Sequence, residues 1–517
     1  GCVLAWGGPA QRTGLSRGYD QKAGVLNAGL FSWARMTHTF FWHDYETFGT
    51  NARTDRPAQF AGIRTDAELN EIGEPLMAYC RPAPDYLPDP ESCLITGITP
   101  QLCLQQGVPE NAFAAHIHAA LGEPGTIGVG YNTIRFDDEF TRFLFWRNLI
   151  DPYGREWQNG CGRWDLLDVV RLTYALRPEG IQWPTKADGR PSFKLEDLAR
   201  ANGLVHEQAH DALSDVRATI ALARLIRQHQ PRLFDFALGL HKKDRVAAEL
   251  GLPATAETAR PFLHVSGMFP PERGCLAVMW PLASHPTNKN EVIAWDLSAD
   301  PSELAQLDAD TLRQRMFTRA ADLPEGVTRL PVKTVHLNKS PMVVGNLKTL
   351  RPEMAQRWGV DLEQAMRHAA TARDLPDMSA IWAQVFQRTP DATPVDPEQD
   401  LYGGFVGQGD RRRLEALRQL SPQELALDRT GFDDERLGEL VFRYRARLWP
   451  ETLNDAETER WQTLCRRRLL HGDGGVLTLE RLAQRIDELA EAASERGDDR
   501  AEHILGQLYD YADAIAP

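Results

Sequence analysis

Aromatic and β-branched side chains dominate the stretch from Thr37 to Phe48, which predicts a β-strand. Side chains alternate faces along a strand, so Asp44 and Glu46 fall on one face and Tyr45 on the other. One strand would thus deliver two carboxylates to one spot; the plain alternative is an edge strand with two solvated acids. The short apolar run from Thr126 to Val129 predicts another strand. Beyond it, Phe140, Phe143, Leu144 and Phe145 recur at helical spacing and predict a helix from Asp137 to Asn148. Acids in a first turn are expected from the helix dipole alone. That accounts for Asp138 and Glu139, and is the plain alternative for Asp137. A third pattern, through Ala212, Leu213, Val216, Ile220 and Ala221, predicts an amphipathic helix that opens near His210 and ends at Gln230-Pro231-Arg232. His210 and Asp215 do not share one clean helical stripe, so both reach a common site only if the helix N-terminus points at it.

Farther along, the pattern changes character. Residues 37–228 alternate strand-like and helical segments, an α/β arrangement. Residues 231–388 hold short β-like runs such as Leu276-Ala277-Val278-Met279-Trp280 and Val292-Ile293-Ala294-Trp295. A Pro- and Asp-rich stretch from Thr389 to Asp400 reads as a linker. The last region, 392–517, is helical, with an apolar stripe at Leu437, Leu440, Val441, Tyr444 and Leu448. Residues 1–36 show no periodicity and no clear basic start or apolar core of a signal peptide; they are expected to be a disordered or loosely packed extension and are assigned no function. A chain of 517 residues exceeds what one core supports, in line with several domains. No apolar run approaches a membrane span. Seven scattered cysteines without a Cys-x-x-Cys pair point to reduced thiols in a cytoplasmic protein.

The candidate chemistry lies in the first half. Asp44, Glu46, Asp137 and Asp215 are four carboxylates, and His210 is a potential general base. Magnesium is a hard cation that prefers oxygen ligands, and four carboxylates are what two such ions need to clamp a phosphodiester. One rival motif overlaps this set: His206-Glu207-Gln208-Ala209-His210 is a literal His-Glu-x-x-His, the zinc-peptidase signature. That chemistry needs both histidines on one helical turn. Here Ala201-Asn202-Gly203-Leu204 is turn-like and apolar periodicity begins only near His210, which puts His206 in a loop.

The order Asp-x-Glu, Asn-x4-Asp (Asn132 to Asp137) and His-x4-Asp resembles the DEDDh group of 3′→5′ exonucleases. Longer runs are similar to the bacterial exonuclease I family: Phe41 to Gly49, Asp55 to Phe60, Leu94 to Pro100, Arg163 to Asp168, Ala175 to Gly180, His264 to Phe269, Pro331 to Lys333 and His336 to Lys339. The resemblance covers roughly residue 38 to the C-terminus, strongest to about residue 350 and looser over the helical tail. It implies an RNase H-like exonuclease domain, an SH3-like barrel-containing domain and a helical C-terminal domain in a C-shaped assembly. It also implies two Mg²⁺ ions held by Asp44, Glu46, Asp137 and Asp215, with His210 taking the proton of the attacking water and a 5′-mononucleotide released.

A net charge of −14 counts mildly against a nucleic-acid binder. A cleft is governed by its local field, however, not by the total. Arg142, Arg171, Lys194, Lys243, Lys333 and Lys339 are candidate groove-lining cations, each with the alternative of ordinary solvation. By resemblance, Tyr153, Trp157 and Tyr402 would offer stacking surfaces to single-stranded DNA, with core packing as the alternative. Asn290, Asn338 and Glu46 join them as candidate substrate contacts. Lys194 stands where the family usually carries arginine, and lysine lacks the bidentate fork. Arg177 and Arg351 match basic positions for the acidic C-terminal tail of single-stranded DNA-binding protein. The expected state is a monomer. Three functions follow: a single-strand DNA exonuclease in repair and recombination, an RNA or proofreading exonuclease built on the same five residues, or a non-catalytic single-strand binder. The two metal readings separate cleanly. His206→Ala should barely change nuclease activity, whereas His210→Ala should cost about 10²–10⁴-fold, as for a lost general base. Stoichiometric zinc in the purified protein, lost on changing His206, would instead favour the peptidase.

Overall fold

The computed structural model describes residues 38–204, 211–255, 258–387, 394–428 and 431–517. The expectation for residues 1–36 lies outside them, as do His206, Glu207 and His210. Five strands form the first sheet: β1 (Thr39–Thr47), β2 (Pro57–Thr65), β3 (Leu76–Tyr79), β4 (Thr126–Gly130) and β5 (Gly162–Asp165). Their order is β3-β2-β1-β4-β5, with β1 at the centre. β2 pairs with β1 antiparallel and β4 pairs with it parallel. The alternation along β1 follows the expected pattern. Phe40 and Trp42 enter one core, and Phe41 and Tyr45 enter another on the opposite face.

Four helices position the site: α1 (Asp137–Arg147), α2 (Leu166–Leu176), α3 (Leu195–Ala201) and α4 (Ala212–His229). Asp211 caps α4 by accepting from the Ser214 amide, and the helix packs on β1 and β2 and ends at Gln230 as expected. A second sheet of β6 (Phe262–Val265), β7 (Leu276–Ser284), β8 (Glu291–Asp296), β9 (Val332–His336) and β10 (Met342–Val344) has the order β10-β6-β7-β8-β9. All its pairs are antiparallel.

The two sheets are not backed by separate cores. One buried cluster runs from Phe40, Trp164 and Val170 through Val265, Met279 and Trp295 to Trp358 and Trp382. The Trp358 indole N–H donates to the carbonyl of Ala175 in α2, sealing a contact across the two regions. The third region adds α5 (Glu435–Leu448) and α6 (Asp455–His471). In α5 the expected stripe buries Leu437, Leu440 and Tyr444, with Val441 and Leu448 partly covered.

The presumed linker is corrected in its described part. Glu398 is buried, and its carboxylate meets Arg443 at 3.3 Å, Arg468 at 2.7 Å and Arg56 at 3.7 Å, with Arg447 also bound. Asp85, from the first region, meets Arg447 at 2.8 Å and Arg468 at 2.6 Å. A polar segment reads as a linker by composition, but four arginines, three of them on α5 and α6, need buried acids as partners, and this segment supplies one. Among the described residues no helix is long and apolar enough to cross a membrane.

This ionic knot has a testable cost. Burial opposes ionisation of Glu398 and Asp85, and the arginines outweigh it, holding both below the usual carboxylate range. Because the folded values are depressed, their stabilisation is present above about pH 4 and is lost as pH falls below it. Glu398→Ala should destabilise the fold by about 3–5 kcal/mol at neutral pH, since it leaves arginines buried without their acid. Denaturant unfolding at pH 7 and pH 3 should show this penalty shrinking in acid; an equal penalty at both values would contradict the charged network.

Candidate active site

The site is built at the C-terminal end of β1. Carboxylate oxygens of Asp44, Glu46 and Asp215 lie within 4.8 Å of one another. Two come from alternate positions of one strand and the third from the first turn of α4, whose N-terminus points at them. Asp215 thus reaches the acids of the strand. Asp137 stands beside this group at the start of α1. Its Oδ1 accepts the Tyr45 amide at 3.0 Å, which binds the helix start to the strand between the two acids. His210, one residue before the cap of α4, lies outside the described residues.

The surrounding frame explains why these positions hold. Asn132, at φ 67°, turns the chain after β4, and its amide and that of Ile134 donate to Asp165 at 2.9 and 3.2 Å. Gly130 is required just before this turn, because a Cβ there would lie 2.6 Å from the His43 carbonyl oxygen. Asp138 is corrected from a dipole acid to a buried anchor. It accepts from Arg155 at 2.5 Å and Arg163 at 3.1 Å. Burial opposes its ionisation, and the two arginines outweigh it and hold its carboxyl low. Glu139 likewise does more than follow the helix dipole: it pairs with Arg142 at 2.8 Å and accepts from the Tyr402 hydroxyl at 2.5 Å. Asp165, Asp168, Arg155 and Arg163 are functional supports that the sequence reading did not assign; the run Arg163 to Asp168 was a signal by resemblance, whereas nothing local marks Arg155.

The central acids behave in the opposite way. Burial raises the Asp44 carboxyl well above its usual range, and Asp137 and Asp215 add repulsion. Burial and then Asp44 push Glu46 up to about 9. Burial and then Asp138 raise Asp137. These described carboxylates form an all-oxygen donor set, which fits hard divalent cations.

The remaining candidates separate into groups. Lys194, Arg171, Phe193, Tyr131 and Asp215 line one cavity of about 560 Å³, together with Gly267, Phe269 and Cys275 from the β6–β7 connection. Lys194 is 68% exposed in its side chain and lies 3.4 Å from Glu196; Arg171 meets Asp168 at 2.8 Å. Lys333 sits 2.8 Å from His264 Nε2, and burial lowers its pKa to about 7. Lys243 donates to Asn290 at 2.5 Å. The exposed Asn338 offers its carbonyl to Arg163 at 3.1 Å, and Lys339 is half-buried nearby, its pKa lowered by burial and by Arg142 and Arg163. Arg142 is buried rather than open, with Glu156 at 2.7 Å and the Tyr153 ring 5.2 Å away. Trp157 is 65% exposed and Tyr402 is exposed, so neither is core. Arg177 donates to the Thr349 carbonyl at 3.0 Å, two residues from Arg351, which pairs with Glu179.

Comparisons with known proteins agree with this architecture. An exonuclease family model matches residues 41–223, the exonuclease I SH3-like domain matches 241–388 and the exonuclease I C-terminal domain matches 395–515. Exodeoxyribonuclease I of Escherichia coli strain K12 is 47% identical over 484 residues, spanning 93% of this chain and 99% of that protein. The chain belongs to the exonuclease I family. A solved family member from Methylocaldum szegediense, described as a moderately thermophilic exonuclease I, superposes with a TM-score of 0.86 at 49% identity, covering 92% of this chain and 99% of the other. E. coli exonuclease I in complex with a dA16 oligonucleotide gives 0.84 at 44% identity, covering 93% and 100%. The family architecture of exonuclease, SH3-like and C-terminal parts is thus the one this chain adopts.

The crowded acids predict a pH response of the metal-free protein. The folded value of Glu46, about 9, lies above its ordinary value of 4.5. Its protonated form therefore stabilises the fold fully below the ordinary value, and the contribution is lost as pH rises through about 9. With chelator present, the Tm of the protein should fall between about pH 5 and pH 9, and Glu46→Gln or added Mg²⁺ should flatten that slope. A wild-type Tm slope unaffected by either change would argue against a charge-strained cluster.

Proposed function

We propose that this protein is an exodeoxyribonuclease that degrades single-stranded DNA from its 3′ end and releases 5′-mononucleotides. The observation that carries this reading is the convergence of Asp44, Glu46 and Asp215 at a cavity edge, in a chain of the exonuclease I family. Asp44, Glu46, Asp137 and Asp215 would hold two Mg²⁺ ions. When bound, such ions supply charge stabilisation at the phosphoryl oxygens and at the leaving oxygen. His210 takes the proton from the attacking water, whose oxygen bonds to phosphorus as the bond to the upstream 3′-oxygen breaks; that oxygen takes up a proton. Lys194 and Arg171 face the cavity and offer cations to the phosphates. Arg142, fixed by Glu156 and Glu139, works through position, steadying Tyr153 and Tyr402 along the strand's path. Exposed Trp157 supplies a stacking surface suited to unpaired bases.

Repair and recombination are the processes that consume such an activity. A solved relative described as SSB/Exonuclease I supports single-stranded DNA-binding protein as a partner, and Arg177 with Arg351 would receive its acidic tail. The RNA or proofreading alternative uses the same five residues and is disfavoured by the long second and third regions.

The deciding experiment incubates purified protein with 5′-labelled single- and double-stranded DNA and RNA, with and without Mg²⁺. Single-stranded DNA alone should be shortened, and only with Mg²⁺. Asp215→Ala should abolish cleavage while DNA binding persists, because it removes a ligand rather than a groove contact. Near-wild-type turnover by that variant, or equal cleavage of RNA, would sink the reading.

A further inference from the structure

The run His264-Val265-Ser266-Gly267-Met268-Phe269 has no role in the chemistry above, yet it reaches the catalytic cavity from the second sheet. After β6 the chain makes a tight turn. The Phe269 amide donates to the Ser266 carbonyl at 3.0 Å, the Met268 amide donates to the Ser266 hydroxyl at 3.2 Å, and the Ser266 amide donates to the Cys275 carbonyl at 2.9 Å. The turn is seated on Arg171: a Cβ on Gly267 would lie 2.7 Å from the guanidinium carbon. Arg171 is in turn tied to Asp168 at 2.8 Å. A braced turn of this kind holds its side chains in place.

What it holds is apolar. Met268 is 77% exposed at the turn, and Phe269 lines the same cavity as Asp215 and Lys194. A large exposed thioether on a rigid turn has no packing role in the fold. The other phenylalanine of the cavity, Phe193, is engaged edge-on with Tyr174 at 5.2 Å and with Trp183 at 6.5 Å. Phe269 meets the His264 ring at 5.6 Å, and Lys333 Nζ lies 4.9 Å above it. The Lys333 amine thus lies over one face of the ring, and the Arg171 guanidinium lies against the turn at Gly267. A flat apolar face bordered by cations, close to a group of acids that suits divalent ions, has the polarity of a nucleotide: base on the ring, phosphates on the cations.

We infer that Phe269, with Met268 at the lip, is a base-contact element that holds one of the last nucleotides of the strand against the catalytic acids. This deepens the nuclease reading and rests on it. It also gives the second sheet a direct part in the reaction.

The test pairs a missing side chain with a missing base in the full-length protein. Single-stranded oligonucleotides carry one abasic residue at the 3′-terminal, second or third position, and cleavage at Mg²⁺ saturation gives kcat/KM. Wild-type protein should lose about 5- to 100-fold at one of these positions, the worth of one base–aromatic stack. Phe269→Ala should lose a similar factor on intact DNA and nothing further on that abasic substrate. Met268→Ala should do the same to a smaller degree. Phe269→Leu fills most of the volume without a ring and should also erase the abasic penalty, which keeps the test open if the alanine variant folds poorly. Penalties that multiply, with each variant retaining the full abasic loss, would overturn the inference, as would a wild-type enzyme indifferent to all three abasic positions. A wild-type protein that leaves intact single-stranded DNA uncut would instead remove the nuclease reading beneath it.

Discussion

Mutual repulsion among the acids at the end of β1 is the constraint around which the first region is organised. Asp44 and Glu46 sit on the central strand, and burial and neighbouring acids dominate their surroundings. Water cannot screen them fully, so the fold must hold them together by force from elsewhere. That force comes from neutral and charge-paired contacts one layer out: the Tyr45 amide on Asp137, the Asn132 and Ile134 amides on Asp165, and Arg155 with Arg163 on Asp138. Acids in this region thus fall into two kinds. Asp138, Asp168 and Glu156 are neutralised by arginine, whereas Asp44 and Glu46 are held against other acids. Which acids are neutralised is decided by where the arginines reach.

The other regions serve the site through two different kinds of bond. The second sheet shares a continuous apolar core with the first region, and its turn at Gly267 and Phe269 forms part of the wall of the cavity that Asp215 lines. Apolar burial of that extent is non-directional and strong, and it holds the second sheet against the first region. The helical region is joined by the Asp85 and Glu398 network as well as by apolar contacts. Buried ion pairs gain little net energy over apolar packing, yet they fail sharply when one partner is removed. The net charge of −14 does not by itself decide what the cavity attracts, because the local field there depends on the residues that line it, among them Lys194 and Arg171.

Much of this was legible in the chain. The aromatic alternation from Phe40 to Tyr45 determined a strand with two faces, and hence that Asp44 and Glu46 share one. The apolar spacing after Asp137 and after Ala212 determined two helices with carboxylates in their first turns. These are local facts, set by periods of two and 3.6 residues that a linear reading can measure. The family resemblance then supplied the grouping, which periodicity alone does not.

What only the tertiary structure decided is which charge meets which. Asp138 looks like any first-turn acid until Arg155 and Arg163 arrive from another strand and turn. Arg142 looks like a free cation until Glu156 and Tyr402 bind it, and Trp157 is as hydrophobic as a core residue until its exposure is seen. Glu398 reads as part of a polar linker until arginines enclose it, and Asp85 meets Arg468 across 383 positions of sequence. Side chains of one type are equivalent in sequence, and burial distinguishes them because the desolvation cost of a charge depends on every neighbour that displaces water from it. The sequence by itself determined the strands, the helices and the order of the acids. The three-dimensional packing determined which of the described acids meet arginines and which meet other acids.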